Sequence, residues 1–231
     1  MTMAARSAVR IVSFSGIDGA GKTTQIDVLR SWLHDCGCTV NVLRMWDDVV
    51  VGSRLRERAS SKLFGGEQGI GCAERPVQRR DKNVTSWPVR IARLALYFAD
   101  AWSLLLKARR LKLAGEYDVV IFDRYIYDEL ANLPLDHGFA RFFARLLLYF
   151  APQPDLAYMV DADPELARAR KPEYPLEFLR LNRQSYLNLV AMAPDIVVIT
   201  GASVSEASAQ IRATFCRRLF QPESCEVLAR A

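Results

Sequence analysis

Glycines, one lysine, two threonines and one aspartate crowd into Phe14–Gln25, FSGIDGAGKTTQ, at a spacing that phosphate chemistry can use. The stretch fits G-x-x-x-x-G-K-[ST], with Gly16, Gly21, Lys22 and Thr23 at the required places. Glycine tolerates φ > 0 and lets backbone N–H groups approach phosphate oxygens closely. A helix beginning at the loop's end turns its positive dipole end toward the same anion. Lys22 then reaches the β- and γ-phosphates and the Thr23 hydroxyl ligates Mg²⁺. Asp18, inside the loop, either accepts a hydrogen bond from an acceptor's hydroxyl or stabilises the turn.

Two further groups belong to the same chemistry. Asp123 ends the apolar run VVIF, at the carboxyl edge where ligands bind in open α/β sheets. A carboxylate there orients the waters of Mg²⁺ opposite the phosphate loop. Arg124 follows it and either reaches a phosphate or makes an ion pair on a helix surface. Phosphoryl transfer also needs positive charge around the moving group. The loop holds Gly19 and Ala20 and no arginine, so another segment must supply it. The basic stretch Arg168, Arg170, Lys171 is the candidate. Two residues apart on a helix, Arg168 and Arg170 face different ways, and Arg170 is the favoured inward one. KPEYP, with Pro172 and Pro175, would stiffen a short lid at about 168–176.

The elements that must hold these groups follow from the pattern. Short apolar runs alternate with longer helical ones, the mark of a parallel sheet with crossover helices. Strands are expected at about Arg10–Ser15, Cys38–Trp46, within EYDVVIFDRY, at PDLAYMVD and at DIVVIT. Helices are expected from the phosphate loop to about Asp35 with Gly37 closing it, over 51–64, from Pro88 to about Ala114, across GFARFFARLLLYF, at DPELARARK, at LEFLRLNRQSYLNLVAM and at SEASAQIRATFCRRLF. GFARFFARLLLYF is apolar enough to be either a buried helix or part of a dimer face. Residues 65–86, rich in glycine and charge, read as a mobile surface segment.

The chain has 231 residues, 51% hydrophobic and 25% charged, which suits one domain, 1–231, with a sizeable core. A net charge of +5 suits a polyanionic small substrate and does not imply nucleic acid. Five cysteines, odd in number and without a CxxC pair, point to a reduced, cytoplasmic chain rather than a disulfide framework or zinc site. No apolar run reaches membrane-spanning length and no signal h-region is present, so no membrane partner is expected. Two function classes remain: a phosphotransferase acting on a small acceptor, and a regulatory or hydrolytic switch built on the same loop. A basic lid with an acidic and aromatic middle helix favours the first.

The chain resembles thymidylate kinase, of the P-loop nucleoside monophosphate kinases, through FSGIDGAGKTTQ (14–25), LRMWDDVVVGSRLRE (43–57), YFADAW (97–102), VIFDRY (120–125), PDLAYMVDADPELARAR (154–170) and VVITG (197–201). The resemblance implies a P-loop NTPase sandwich of three layers, its five-stranded parallel sheet ordered 2-3-1-4-5 between helices, often in a homodimer. It implies the reaction ATP + dTMP = ADP + dTDP with Mg²⁺. By motif position Gly16, Gly19, Ala20, Gly21, Lys22, Thr23 and Thr24 would hold the ATP phosphates and metal. Asp18 would meet the sugar 3′-hydroxyl, Tyr97 would stack on thymine with Asp100 nearby, Arg168 and Arg170 would stand in the lid, and Gly201 and Ala202 would flank adenine. Arg44, Asp47, Arg124 and Asp128 would line the acceptor.

Departures from that pattern cluster on the acceptor side. Arg44 is followed by Met45-Trp46-Asp47-Asp48 where a further arginine is expected; Ala101 replaces another arginine; Asp128 replaces a serine five residues after Asp123. Asp47 and Asp48 would repel a phosphate dianion if both were charged and close. The acceptor is therefore either dTMP or another small molecule, including a neutral one whose hydroxyls pair with Asp47, Asp48 and Asp128.

Overall fold

The computed structural model describes residues 8–50, 87–133, 135, 137–201 and 203–219. The helix expected at 51–64, the segment 65–86 and Ala202 lie outside them. Five strands are present: β1 (Arg10–Ser15), β2 (Val40–Arg44), β3 (Val119–Asp123), β4 (Leu156–Val160) and β5 (Ile196–Ile199). They form one parallel sheet in the order β2-β3-β1-β4-β5. β3 and β4 are continuous apolar runs and β1 nearly so, and almost every residue of the three is buried. Strands buried on alternate sides must be covered on both faces, which gives three layers.

The helices are α1 (Lys22–Asp35), α2 (Trp87–Ala114), α3 (Ile126–Leu130), α4 (Gly138–Phe150), α5 (Pro164–Arg170), α6 (Leu176–Met192) and α7 (Val204–Leu219). α1 and α7 pack together along the sheet, α2 packs on α3 and α4, and α6 on α3 and α5. Leu29, Leu33, Leu104, Phe122 and Phe215 are almost wholly buried, each contributing about 2 kcal/mol through removal from water. α1 ends as expected. Gly37 takes φ +80, its N–H donates to the His34 carbonyl and that of Cys38 to Leu33, so the last carbonyls of the helix are satisfied. α5 starts on Asp163, whose carboxylate accepts the N–H groups of Glu165 (2.9 Å) and Leu166 (3.1 Å), with Pro164 in the first turn.

One expectation changes and another narrows. β2 is shorter than Cys38–Trp46, because the Asp48 carboxylate takes the Arg44 N–H (2.7 Å) and Met45–Val49 coils into one π-helical turn. α4 is not a buried helix. Ala140, Phe143, Ala144 and Leu147 face inward, but Phe139, Phe142, Tyr149 and Phe150 are exposed.

Candidate active site

The parallel register brings three strand ends to one height. Phe14 of β1 and Arg44 of β2 both pair with Asp123 of β3. The loop after β1 therefore opens beside Asp123, at the carboxyl edge of the sheet.

Three glycines shape that loop, with Gly16 at φ +138, Gly19 at +83 and Gly21 at +90. Two are also required by crowding. A Cβ on Gly16 would fall on the Val160 carbonyl oxygen, and one on Gly19 on that of Ala167. Gly21 leads directly into α1, with the Gln25 N–H returning to its carbonyl (3.1 Å). Ala20 is buried, while Thr23 and Thr24 stand exposed on the first turn of α1. The Lys22 side chain folds back over the loop, its Nζ donating to the carbonyls of Gly16 (2.8 Å) and Ile17 (2.9 Å). Burial, and then the neighbouring Arg124 charge, pull the Lys22 ammonium down to about 8 against the opposing pull of Asp128, Asp18 and Asp123.

Across from the loop, Arg124 is held between two carboxylates. Its guanidinium donates to Asp18 in the loop and to Asp128 Oδ1 (3.1 Å). Burial alone would raise the Asp18 carboxyl, but Arg124, then Lys22 and Lys171, outweigh it and hold it below its ordinary range. Burial likewise opposes the Arg124 charge, but Asp128 and Asp18 raise its affinity for the proton. Asp18 is therefore an ion-pair partner of Arg124 as well as a loop residue.

Asp128 departs from the sequence expectation. It is 4% exposed, and its oxygens accept from Ser15 Oγ (2.6 Å), Tyr186 Oη (2.7 Å), the Tyr125 N–H (3.0 Å) and Arg124. A carboxylate offers about four lone-pair sites, and all are used. Asp128 therefore serves Arg124 rather than an acceptor's hydroxyl. Asp48 is likewise engaged, with the Arg44 N–H, and Asp47 lies exposed, 3.9 Å from the Arg44 guanidinium. Of the three carboxylates only Asp128 is enclosed; Asp47 and Asp48 stand exposed beside Arg44 at the strand edge.

Tyr97 and Asp100 are buried on α2, which packs on the Met45–Val49 turn beside the strand ends. α5 lies directly against the loop through Ala167 and Gly19. Arg168 and Arg170 do face differently, but the inward one is Arg168. It is half-buried with Nε enclosed and without a hydrogen-bond partner among the described residues, whereas Arg170 is exposed. Beyond α5, Tyr174 is buried, and Arg180 bridges Glu165 (2.5 Å) and Glu177 (2.7 Å) at the surface. Gly201 packs on the backbone of Ala207. That loop is tied to α1 by Gln25, which donates to the Val204 carbonyl (3.1 Å) and accepts from Ser208 Oγ (2.8 Å).

Ser15, Gln25, Tyr186 and Ser208 belong to the site's surroundings without any local sequence pattern to mark them. For Tyr186 the available signal was a tyrosine on the apolar stripe of α6, whose hydroxyl needs a buried partner.

Comparison with known proteins bears on this arrangement. No family model matches the chain. It is 31% identical over 205 residues to the thymidylate kinase of Bifidobacterium longum strain NCC 2705, covering 84% of this chain and 90% of that one. It is 32% identical over 186 residues to the probable thymidylate kinase of Methanothermobacter thermautotrophicus, covering 77% and 79%. Among solved structures, the thymidylate kinase of Candida albicans superposes with a TM-score of 0.61 at 19% identity over 90% of this chain and 91% of that one. The thymidylate kinase of Ehrlichia chaffeensis does so with a TM-score of 0.55 at 20% identity over 90% and 99%.

Proposed function

The chain belongs to the thymidylate kinase family, and from that premise we propose that it transfers the γ-phosphate of ATP to dTMP, giving ADP and dTDP. The observation that carries the reading is the meeting of Gly19 with Ala167. It puts α5, whose following basic residues we read as a lid, against a phosphate loop whose lysine is already gathered over it. A bare switch needs no such lid.

The loop amides and the N-terminus of α1 bind the β- and γ-phosphates. Lys22 exchanges its two carbonyl partners for phosphate oxygens and is fully protonated when it does so. Thr23 and Asp123 are hard oxygen donors on either side of the loop, the kind magnesium prefers. They fit the ion and would hold it; when bound it neutralises charge on the phosphates. Arg124 and Arg44 supply positive charge on the acceptor side, Asp18 meets the sugar hydroxyl, and Tyr97 lies against the base. Arg168, with Arg170 behind it, supplies the charge that the loop itself lacks. Gly201 and Ala202 flank adenine.

The exposed aromatic face of α4, Phe139, Phe142, Tyr149 and Phe150, is where two copies would meet. Sedimentation of the wild type against Phe142→Glu tests this, with a monomeric wild type counting against it. No helix among the described residues is long and apolar enough to cross a membrane.

The enclosure of Asp128 weakens the case for a neutral hydroxyl acceptor. A screen with labelled ATP decides the matter, covering dTMP, other monophosphates, nucleosides and sugars. Robust turnover of dTMP above the rest is the expected result. Turnover of a nucleoside or sugar with dTMP inert would overturn the reading.

A further inference from the structure

Among the described residues a buried ionic network lies behind the reacting groups. Its centre is the Asp128 carboxylate, and its donors come from separate parts of the chain: Ser15 at the end of β1, Tyr186 midway along α6, and Arg124 with the Tyr125 N–H ahead of α3. Tyr186 is 3% exposed, and burial together with the Asp128 charge keeps its phenol protonated as a donor.

What this network fixes is Arg124. The Arg124 backbone stands at φ +71, a left-handed conformation uncommon outside glycine. Such a residue persists only where its surroundings over-determine it. Here the Arg124 N–H donates to the Phe14 carbonyl (2.9 Å), and one arm of the guanidinium is anchored on Asp128. The other arm reaches Asp18 in the phosphate loop. The side chain thus spans from a closed interior to the reacting edge, anchored at one end and presented at the other. The donor side relies on different contacts. Lys22 feels the Asp128 charge, but its hydrogen bonds go to Gly16 and Ile17.

We infer that Asp128, itself held by Tyr186 and Ser15, is a positioning residue that aims Arg124 at Asp18 and so presets the acceptor side of the cleft. The inference rests on the dTMP kinase reading above. In this chain a buried carboxylate with a tyrosine behind it performs the aiming, which explains why a charge is tolerated at position 128.

The test uses the full chain carrying Asp128→Asn, Tyr186→Phe or Arg124→Lys, and each of the first two combined with the third. Tyr186→Phe and Asp128→Asn should each lower kcat/KM for dTMP by about tenfold to a hundredfold, the range expected when a reacting group is misplaced by about an ångström. Mg·ADP affinity by calorimetry should stay within about threefold of wild type, since its grip is made elsewhere. In the Arg124→Lys background the same changes should cost little more, because there is no longer an arginine to aim. Should Asp128→Asn fail to fold, Tyr186→Phe decides alone. Undiminished dTMP turnover in Tyr186→Phe, an equal loss of Mg·ADP affinity, or full additivity with Arg124→Lys would each overturn the inference. A ligand-free readout separates this from the function reading. The Arg124 Nε–Hε resonance should be sharp and slowly exchanging in wild type and broadened in Tyr186→Phe. If wild type ignores dTMP, the function reading fails, and this resonance still decides the inference, an unchanged signal refuting it.

Discussion

Gly19 and Ala167 touch with no space for a methyl group between them: a Cβ on Gly19 would land on the Ala167 carbonyl oxygen. Through this contact the phosphate loop feels the position of α5, and the arginines that follow Ala167 are placed by it. Gly19→Ala meets both this clash and the strain of φ +83. It should cost about 1–3 kcal/mol of stability and push α5 outward. Urea unfolding reads the first, and a fall in kcat larger than the fall in Mg·ADP affinity reads the second.

Lys22 makes binding and stability depend on pH in a definite direction. Its folded value of about 8 lies below the ordinary 10.5. Below about pH 8 both folded and unfolded chains carry the proton, and the folded state bears the full cost of burying the charge, about 3 kcal/mol. As pH rises from about 8 to 10.5 the unfolded chain holds the proton that the folded chain has released, so this destabilisation fades and is gone above that window. Lys22→Met should therefore stabilise the ligand-free fold near neutral pH by an amount that shrinks across the window, as unfolding titrations at several pH values would show. The variant should also lose phosphoryl transfer. Triphosphate binding, which needs the ammonium, should take up protons from solution at alkaline pH. Calorimetry in two buffers of different ionisation enthalpy measures that uptake.

Arg168 and Arg170 should separate on alanine substitution. The enclosed Nε, without a partner among the described residues, makes Arg168 the better placed. Arg168→Ala should lower kcat by about a hundredfold or more with little change in KM, as expected of charge used chiefly in the transition state. Arg170→Ala should cost less. Steady-state kinetics settle the order, and the reverse order would mean that α5 turns when substrates arrive.

Asp163 caps α5 through two N–H groups. Asp163→Ala should cost about 1 kcal/mol, confined to α5. Hydrogen exchange should quicken over Pro164–Arg170 and leave β4 protected; a global loss of protection would argue against a local cap.

Much of this could be seen in the sequence, and the parts that could not share a cause. β1, β3, β4 and β5 were visible because VSF, VVIF, LAYMV and IVVI are apolar runs that only a covered parallel sheet can use. The strand order was not readable from those runs and came from the likeness to a known family. The end of β2 was misplaced because a side chain, Asp48, competes for the Arg44 N–H, and periodicity does not register such competition. Arg168 and Arg170 were known to diverge, but which turned inward depends on how α5 sits on the loop, a contact between residues 148 positions apart in sequence. Asp128 was misread for the same reason. Its character is set by Ser15 and Tyr186, which no local window joins to it.

The turn after β2 has a consequence for how this protein could diverge. Asp48 closes Met45–Val49 on the chain's own Arg44 N–H, the Val50 N–H returns to Met45, and the Asp47–Arg44 pair lies in water. These hydrogen bonds are all internal to Arg44–Val50, while buried Met45, Val49 and Val50 fix the turn to the core. Exchanging Trp46 and Asp47, which are exposed, for the corresponding residues of a relative should change how tightly the acceptor is held while leaving the grip on the nucleotide donor, and the melting behaviour of the whole, nearly untouched.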